Sequence, residues 1–161
     1  MSDWNEILKN SDVPAIEAEI KSFETEIGFG LPSDYRNFLL KFNGGKNLLP
    51  HLVPSEELGF EWGIEYFSDL SDLRETRKIQ EGYFMRQALN IASDGGTGWF
   101  FLILDGSEKG AVYFTWKDDV VELSEKEWNS WEVVIPETTV KISDDFDSLV
   151  EIIKNHPITE D

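Results

Sequence analysis

Gly28-Phe29-Gly30-Leu31-Pro32-Ser33-Asp34-Tyr35-Arg36-Asn37-Phe38-Leu39-Leu40-Lys41-Phe42-Asn43-Gly44-Gly45 packs a turn, a helix start, an apolar stripe and a helix stop into one segment. Proline suits the first helical position, where its missing N–H would have no partner, so Pro32 starts the helix and Ser33 or Asp34 serves the first-turn amides. Tyr35, Phe38, Leu39 and Phe42 then recur at i, i+3, i+4 and i+7, one face of a helix. Asn43-Gly44-Gly45 tolerates the left-handed backbone that closes such a helix.

The preceding residues predict a second helix for that face to meet. Val13, Ile16, Ile20, Phe23 and Ile27 step by 3, 4, 3 and 4, with a start near Ser11 to Pro14 and a stop at Gly28 and Gly30. Trp4, Ile7 and Leu8 share a helical face behind Ser2 or Asp3, which predicts a short opening helix. After Leu48 the period changes. Pro50 and Pro54 exclude a central strand there, while Trp62, Ile64 and Tyr66 alternate with Gly63 and Glu65 as in a half-wet strand. Ser71-Asp72 is expected to cap a helix from about Leu73 to Glu81. Leu89 and Ile91 lead into the turn Ser93 to Gly98. Trp99 to Leu104 is a continuous apolar run, the pattern of a strand buried on both faces. Ala111 to Trp116 is the next strand, followed by Val120 to Leu123 and by edge strands over Trp131 to Ile135 and Thr138 to Ile142. Ser143 is expected to cap a last helix carrying Phe146, Leu149, Val150 and Ile153. Helices, then strands, then a helix predict an α+β fold, with N-terminal helices and a C-terminal helix packed on a mostly antiparallel central sheet. A chain of 161 residues with no linker or repeat reads as a single domain, 1–161.

With the amphipathic segment of Ile16, Ile20, Phe23 and Glu24 before it, the pattern Leu-Pro-x-Asp-Tyr-x-x-Phe-Leu ending in Asn-Gly-Gly resembles the signature of the SUKH superfamily, the Smi/Knr-type domains. Ile91 to Gly98 with the following apolar run resembles the family's central glycine turn and strand. Gly110 to Trp116 resembles the next strand, and Phe146 to Ile153 the closing helix. The resemblance spans residues 13–154. It implies the same α+β architecture and a binding module, not an enzyme: bacterial members are immunity proteins that neutralise a cognate toxin of a polymorphic or contact-dependent system, often a nuclease. Fungal members imply the alternative, a regulatory scaffold for signalling factors.

Charge bears on the partner. The 32 acidic and 14 basic residues give a net charge of −18, which disfavours nucleic acid as a direct partner. The acids are concentrated: residues 51–75 carry 7 acids and 1 base, and residues 117–147 carry 10 and 3. A solvated surface is the plain reading. An electrostatic docking face for a basic protein is the sharper one, because complementary potential speeds encounter and suppresses wrong partners. Aromatic anchors carry much of an interface's energy. Trp62 sits among acids in the first block, and Trp128 and Trp131 sit in the second, whereas Trp99 and Trp116 read as sheet-packing residues. The expected contact set is Glu56, Glu57, Glu61, Trp62, Glu65, Asp69, Asp72, Asp118, Asp119, Glu122 and Trp128.

Catalysis finds little support. His51 lies between prolines and His156 near the end, neither within a motif. Gly44-Gly45-Lys46 and Gly95-Gly96-Thr97-Gly98 lack the strand, spacing and helix of a phosphate loop, and no Asp-x-Asp-x-Asp-Gly run supports a calcium loop. No cofactor, metal or catalytic residue is expected. The chain has no cysteine, no signal-peptide pattern and no apolar run of membrane-spanning length, which places it in the cytoplasm.

Overall fold

The computed structural model describes residues 8–9, 13–47, 53–55, 60–79, 86–96, 98–116 and 139–155. In chain order these form β1 (Leu8–Lys9), α1 (Glu17–Ile27), α2 (Ser33–Lys41), β2 (Gly45–Asn47), β3 (Val53–Ser55), β4 (Phe60–Trp62), β5 (Tyr66–Phe67), α3 (Leu70–Ile79), β6 (Ala88–Ser93), β7 (Gly98–Ile103), β8 (Val112–Trp116), β9 (Thr139–Ser143) and α4 (Asp147–Lys154). A seven-stranded sheet runs β1-β2-β5-β6-β7-β8-β9, and β3 and β4 pair as a separate ribbon. Every pairing is antiparallel.

The apolar run lies at the sheet's centre, between β6 and β8. Alternate side chains of β7 go to opposite faces, so Phe100 and Leu102, with Leu104 just beyond, enter the main core. Phe101 and Ile103 join a smaller cluster with Ala88, Ala111 and Tyr113 on the other face. A strand apolar at every position follows from being covered twice. The main core also takes Ile20, Phe23 and Ile27 of α1, Tyr35, Phe38 and Leu39 of α2, Leu70 and Leu73 of α3, and Leu149 and Ile153 of α4. All four described helices therefore share one face of the sheet.

The polar residues of the opening segment act as ties. Asp34 Oδ1 accepts from the Tyr35 amide at 2.8 Å, and its Oδ2 accepts from the Asp147 amide at 3.0 Å, so one carboxylate serves the first turns of both α2 and α4. That brings Phe146 against Tyr35 and Phe38, with ring centroids 4.8 and 5.0 Å apart. Glu24 accepts from the Leu31 amide at 2.7 Å and from the Arg36 guanidinium, which also pairs with Glu17. Asn43, at φ 52°, donates from Nδ2 to the Val13 carbonyl at 3.0 Å and accepts at Oδ1 from the Leu70 amide at 2.9 Å. Next to it, Gly44 has φ +92°, and a Cβ there would lie 2.8 Å from the Asp69 amide nitrogen and 2.9 Å from the Phe67 carbonyl oxygen. Only glycine fits that backbone-on-backbone approach.

Several expectations are corrected. Leu8 lies in a strand paired with Asn47, not in an opening helix, because the edge of β2 offers its backbone a ladder that a short isolated helix lacks. α1 begins at Glu17, after the expected start. Val13 and Ile16 are 83% and 60% exposed, so the buried stripe is Ile20, Phe23 and Ile27 alone. Pro32 precedes the first turn of α2 with ψ 142°, one residue earlier than expected. The Trp62-Ile64-Tyr66 alternation is split between β4 and β5, with Trp62 and Ile64 buried and Tyr66 exposed. α3 starts at Leu70, since Asp69 Oδ1 takes the Asp72 amide at 2.7 Å and is the cap that Ser71-Asp72 was expected to supply. At α4 the cap is Asp145, which accepts from both the amide and the hydroxyl of Ser148, while Ser143 ends β9 and donates to the Asp145 carbonyl. The expected strands over 120–123 and 131–135 lie outside the described residues.

Candidate protein-interaction surface

Two glycine loops are filled by the protein itself. In the β6–β7 turn, Asp94 Oδ1 accepts from the Gly96 and Gly98 amides at 3.0 and 2.9 Å, and Ser93 Oγ accepts from the Gly95 amide. Those N–H groups face an internal carboxylate, which an incoming phosphate would have to displace. The ring of Phe114 occupies the space a Cβ on Gly98 would need, so that glycine is set by packing. Gly44 and Gly45 bend the chain from α2 into β2. Among the described residues no group of three or more histidine, cysteine or carboxylate side chains could hold a metal ion. Both histidines lie outside them.

The predicted contact residues separate. Glu56, Glu57, Asp118, Asp119, Glu122 and Trp128 lie outside the described residues. Glu61 sits on β4 opposite Pro54. Trp62 is no exposed anchor: it is 4% exposed, with its ring 5.6 Å from that of Phe100. The reason is the β3–β4 pairing, which places Val53 opposite Trp62 and sends both side chains into the main core. Glu65 is exposed in the link to β5 and leans over the β6–β7 turn, its carboxylate occupying the space a Cβ on Gly95 would need.

Asp69 and Asp72 come together at the start of α3, and Glu75 continues the line at i+3. Desolvation raises the Asp72 carboxyl above the usual aspartate range, and the neighbouring Asp69 and Glu75 charges add to it. Exposed like charges at this spacing repel, so the first turn of α3 forms a negative ridge held at some cost in stability. Glu75 was missed in the sequence; its i, i+3 relation to Asp72 becomes legible only once the helix start is known.

The predicted contact residues that the structure does describe, apart from Trp62, are the carboxylates Glu61, Glu65, Asp69 and Asp72. A family model, the SMI1 / KNR4 family (SUKH-1), matches residues 14–151. The chain belongs to this family. The match takes in α1 through most of α4, and with them the Asp34, Asn43 and Gly44 ties and the β6–β7 turn. No curated protein matches the chain. SUKH-1 domains are generally non-catalytic immunity or regulatory modules that work by binding other proteins. No described helix of this SUKH-1 domain is long and apolar enough to cross a membrane.

Proposed function

We propose that this SUKH-1 protein is an immunity protein, which binds a cognate bacterial toxin and blocks its action by covering a basic catalytic face of the nuclease type. The observation that carries the reading is the charge: −18 over 161 residues, concentrated in segments 51–75 and 117–147, on a scaffold whose family works through protein binding. A nuclease must be basic to hold its polyanionic substrate, so an acidic cover is steered onto the surface that must be blocked. Glu61, Glu65, Asp69 and Asp72 are the members of this docking face among the described residues, extended by Glu56, Glu57, Asp118, Asp119 and Glu122, with Trp128 as its aromatic anchor. The whole chain acts as one domain in the cytoplasm, without cofactor or metal.

The test is co-expression with the toxin encoded by the adjacent reading frame. Survival of the cells, and a complex that co-purifies, are the expected results; full toxicity, or no complex, contradicts the proposal.

A further inference from the structure

Asn43-Gly44 is the single Asn-Gly pair in the sequence, and the structure puts it at a junction. In such a pair the glycine amide nitrogen readily attacks the asparagine carboxamide, because glycine has no Cβ to hinder the approach and its backbone turns freely. Asn43 stands just past α2 in the left-handed region, at φ 52°. Its side chain bonds outside its own helix, donating from Nδ2 to the Val13 carbonyl at 3.0 Å and accepting at Oδ1 from the Leu70 amide at 2.9 Å. One carboxamide thus ties the segment before α1, the end of α2 and the start of α3.

Attack would require Asn43 Cγ to swing onto the Gly44 nitrogen, which gives up both bonds, and the chain to turn at Gly44. Gly44 is buried, and it lies so close to the Phe67–Asp69 main chain that even a Cβ has no room there. The closed junction therefore withholds both reacting atoms, and an opened junction releases them. The products of the reaction fit badly. An aspartate at this position still accepts from the Leu70 amide but turns a carboxylate oxygen, with no proton to donate, toward the Val13 carbonyl. An isoaspartate adds a methylene to the main chain beside a glycine already in close contact.

We propose that Asn43 is a deamidation site gated by the fold: intact while the junction of α2 and α3 is closed, converted when it opens, and unable to rebuild the junction afterwards. The Gly44 nitrogen forms a bond to Asn43 Cγ and gives up its proton, the Cγ–Nδ2 bond breaks, and ammonia leaves with that proton. Water then opens the cyclic imide at one of its two carbonyls, giving aspartate or isoaspartate. The net change is water in and ammonia out, with no oxidant or reductant. The Leu70 bond holds the first turn of α3, so conversion loosens the ridge of Asp69, Asp72 and Glu75.

The full chain, incubated at neutral pH in buffer and in urea sufficient to unfold it, tests the gate, with the peptide carrying Asn43 followed by mass spectrometry and its isoaspartate form resolved by chromatography. Conversion should be at least about tenfold slower in buffer, since it tracks the population of opened junctions. Equal rates in the two solvents would overturn the gating. Asn43→Asp, the direct product, should lower the folding equilibrium constant about tenfold or more through loss of the donor bond, read as a fall in the urea midpoint. An Asn43→Asp chain as stable as the wild type would overturn the one-way step.

Discussion

Replacing Asp34 by alanine removes one carboxylate that serves the first turns of two helices. Its oxygens accept from the amides of Tyr35 and Asp147 at 2.8 and 3.0 Å, and each lost hydrogen bond costs about 1 kcal/mol, so Asp34→Ala should destabilise by about 2 kcal/mol. For a chain of this size each kcal/mol moves the melting temperature by roughly 2–4 °C, giving a fall of about 4–8 °C. Asp34→Asn separates the two bonds. A carboxamide offers one acceptor oxygen and turns an NH₂ toward the other amide, so it should lose about half as much or slightly more. Urea unfolding measures both, with the midpoint shifting at constant m-value. The two-bond reasoning fails if Asp34→Ala costs less than about 0.5 kcal/mol, the level of an ordinary surface change.

Gly44→Ala combines the penalty of a left-handed backbone with contacts under 3 Å to the Phe67–Asp69 main chain and should cost roughly 2–4 kcal/mol in the same assay. Asp72→Asn should raise stability at neutral pH by a few tenths of a kcal/mol after allowance for its exposure. Its carboxyl is raised by desolvation and by Asp69, so the wild-type penalty is absent below the unfolded pKa, near 4, and grows as pH rises through the folded value; melting curves at acid and neutral pH should show the variant's gain only at the latter. Glu108 has the opposite sign. Lys141 lowers its pKa, so the stabilisation by that pair is lost as pH falls through the folded value, and Glu108→Gln should be destabilising at neutral pH and silent in strong acid. Reversing Glu61, Glu65, Asp118 and Asp119 to lysine should slow association with the toxin about tenfold or more at low salt and flatten its salt dependence, as stopped-flow mixing would show.

The fold was legible wherever one physical signal dominated. The apolar run of β7 announced a strand covered twice, and Tyr35 to Phe42 announced the buried face of α2, because hydrophobic period outweighs local detail over such lengths. Helix starts were misplaced by one to several residues at α1, α2 and α3. Asp34, Asp69 and Asp145 each had polar neighbours able to cap equally well, and tertiary contacts made the choice. Leu8 reads as helical beside Trp4 and Ile7, and only the unpaired edge of β2 turns it into a strand. The proposed docking face was legible as composition but not as geometry. Trp62 looked like an anchor because its chain neighbours are acidic, yet pairing with β3 turns it into the core. A basic cluster was hidden by the opposite effect, since Arg86 joins Arg74, Arg77 and Lys78 beside the end of α1 only in space, and counting charges along the chain averages them away.

The central claim is that this acidic SUKH-1 protein neutralises a basic toxin by covering it. Its most direct measurement is inhibition of the purified toxin encoded by the adjacent gene, titrated with this protein at low and at physiological salt. The account predicts that activity is abolished at a stoichiometric ratio, with association slowing steeply as salt rises. Full toxin activity in the presence of excess protein would contradict it.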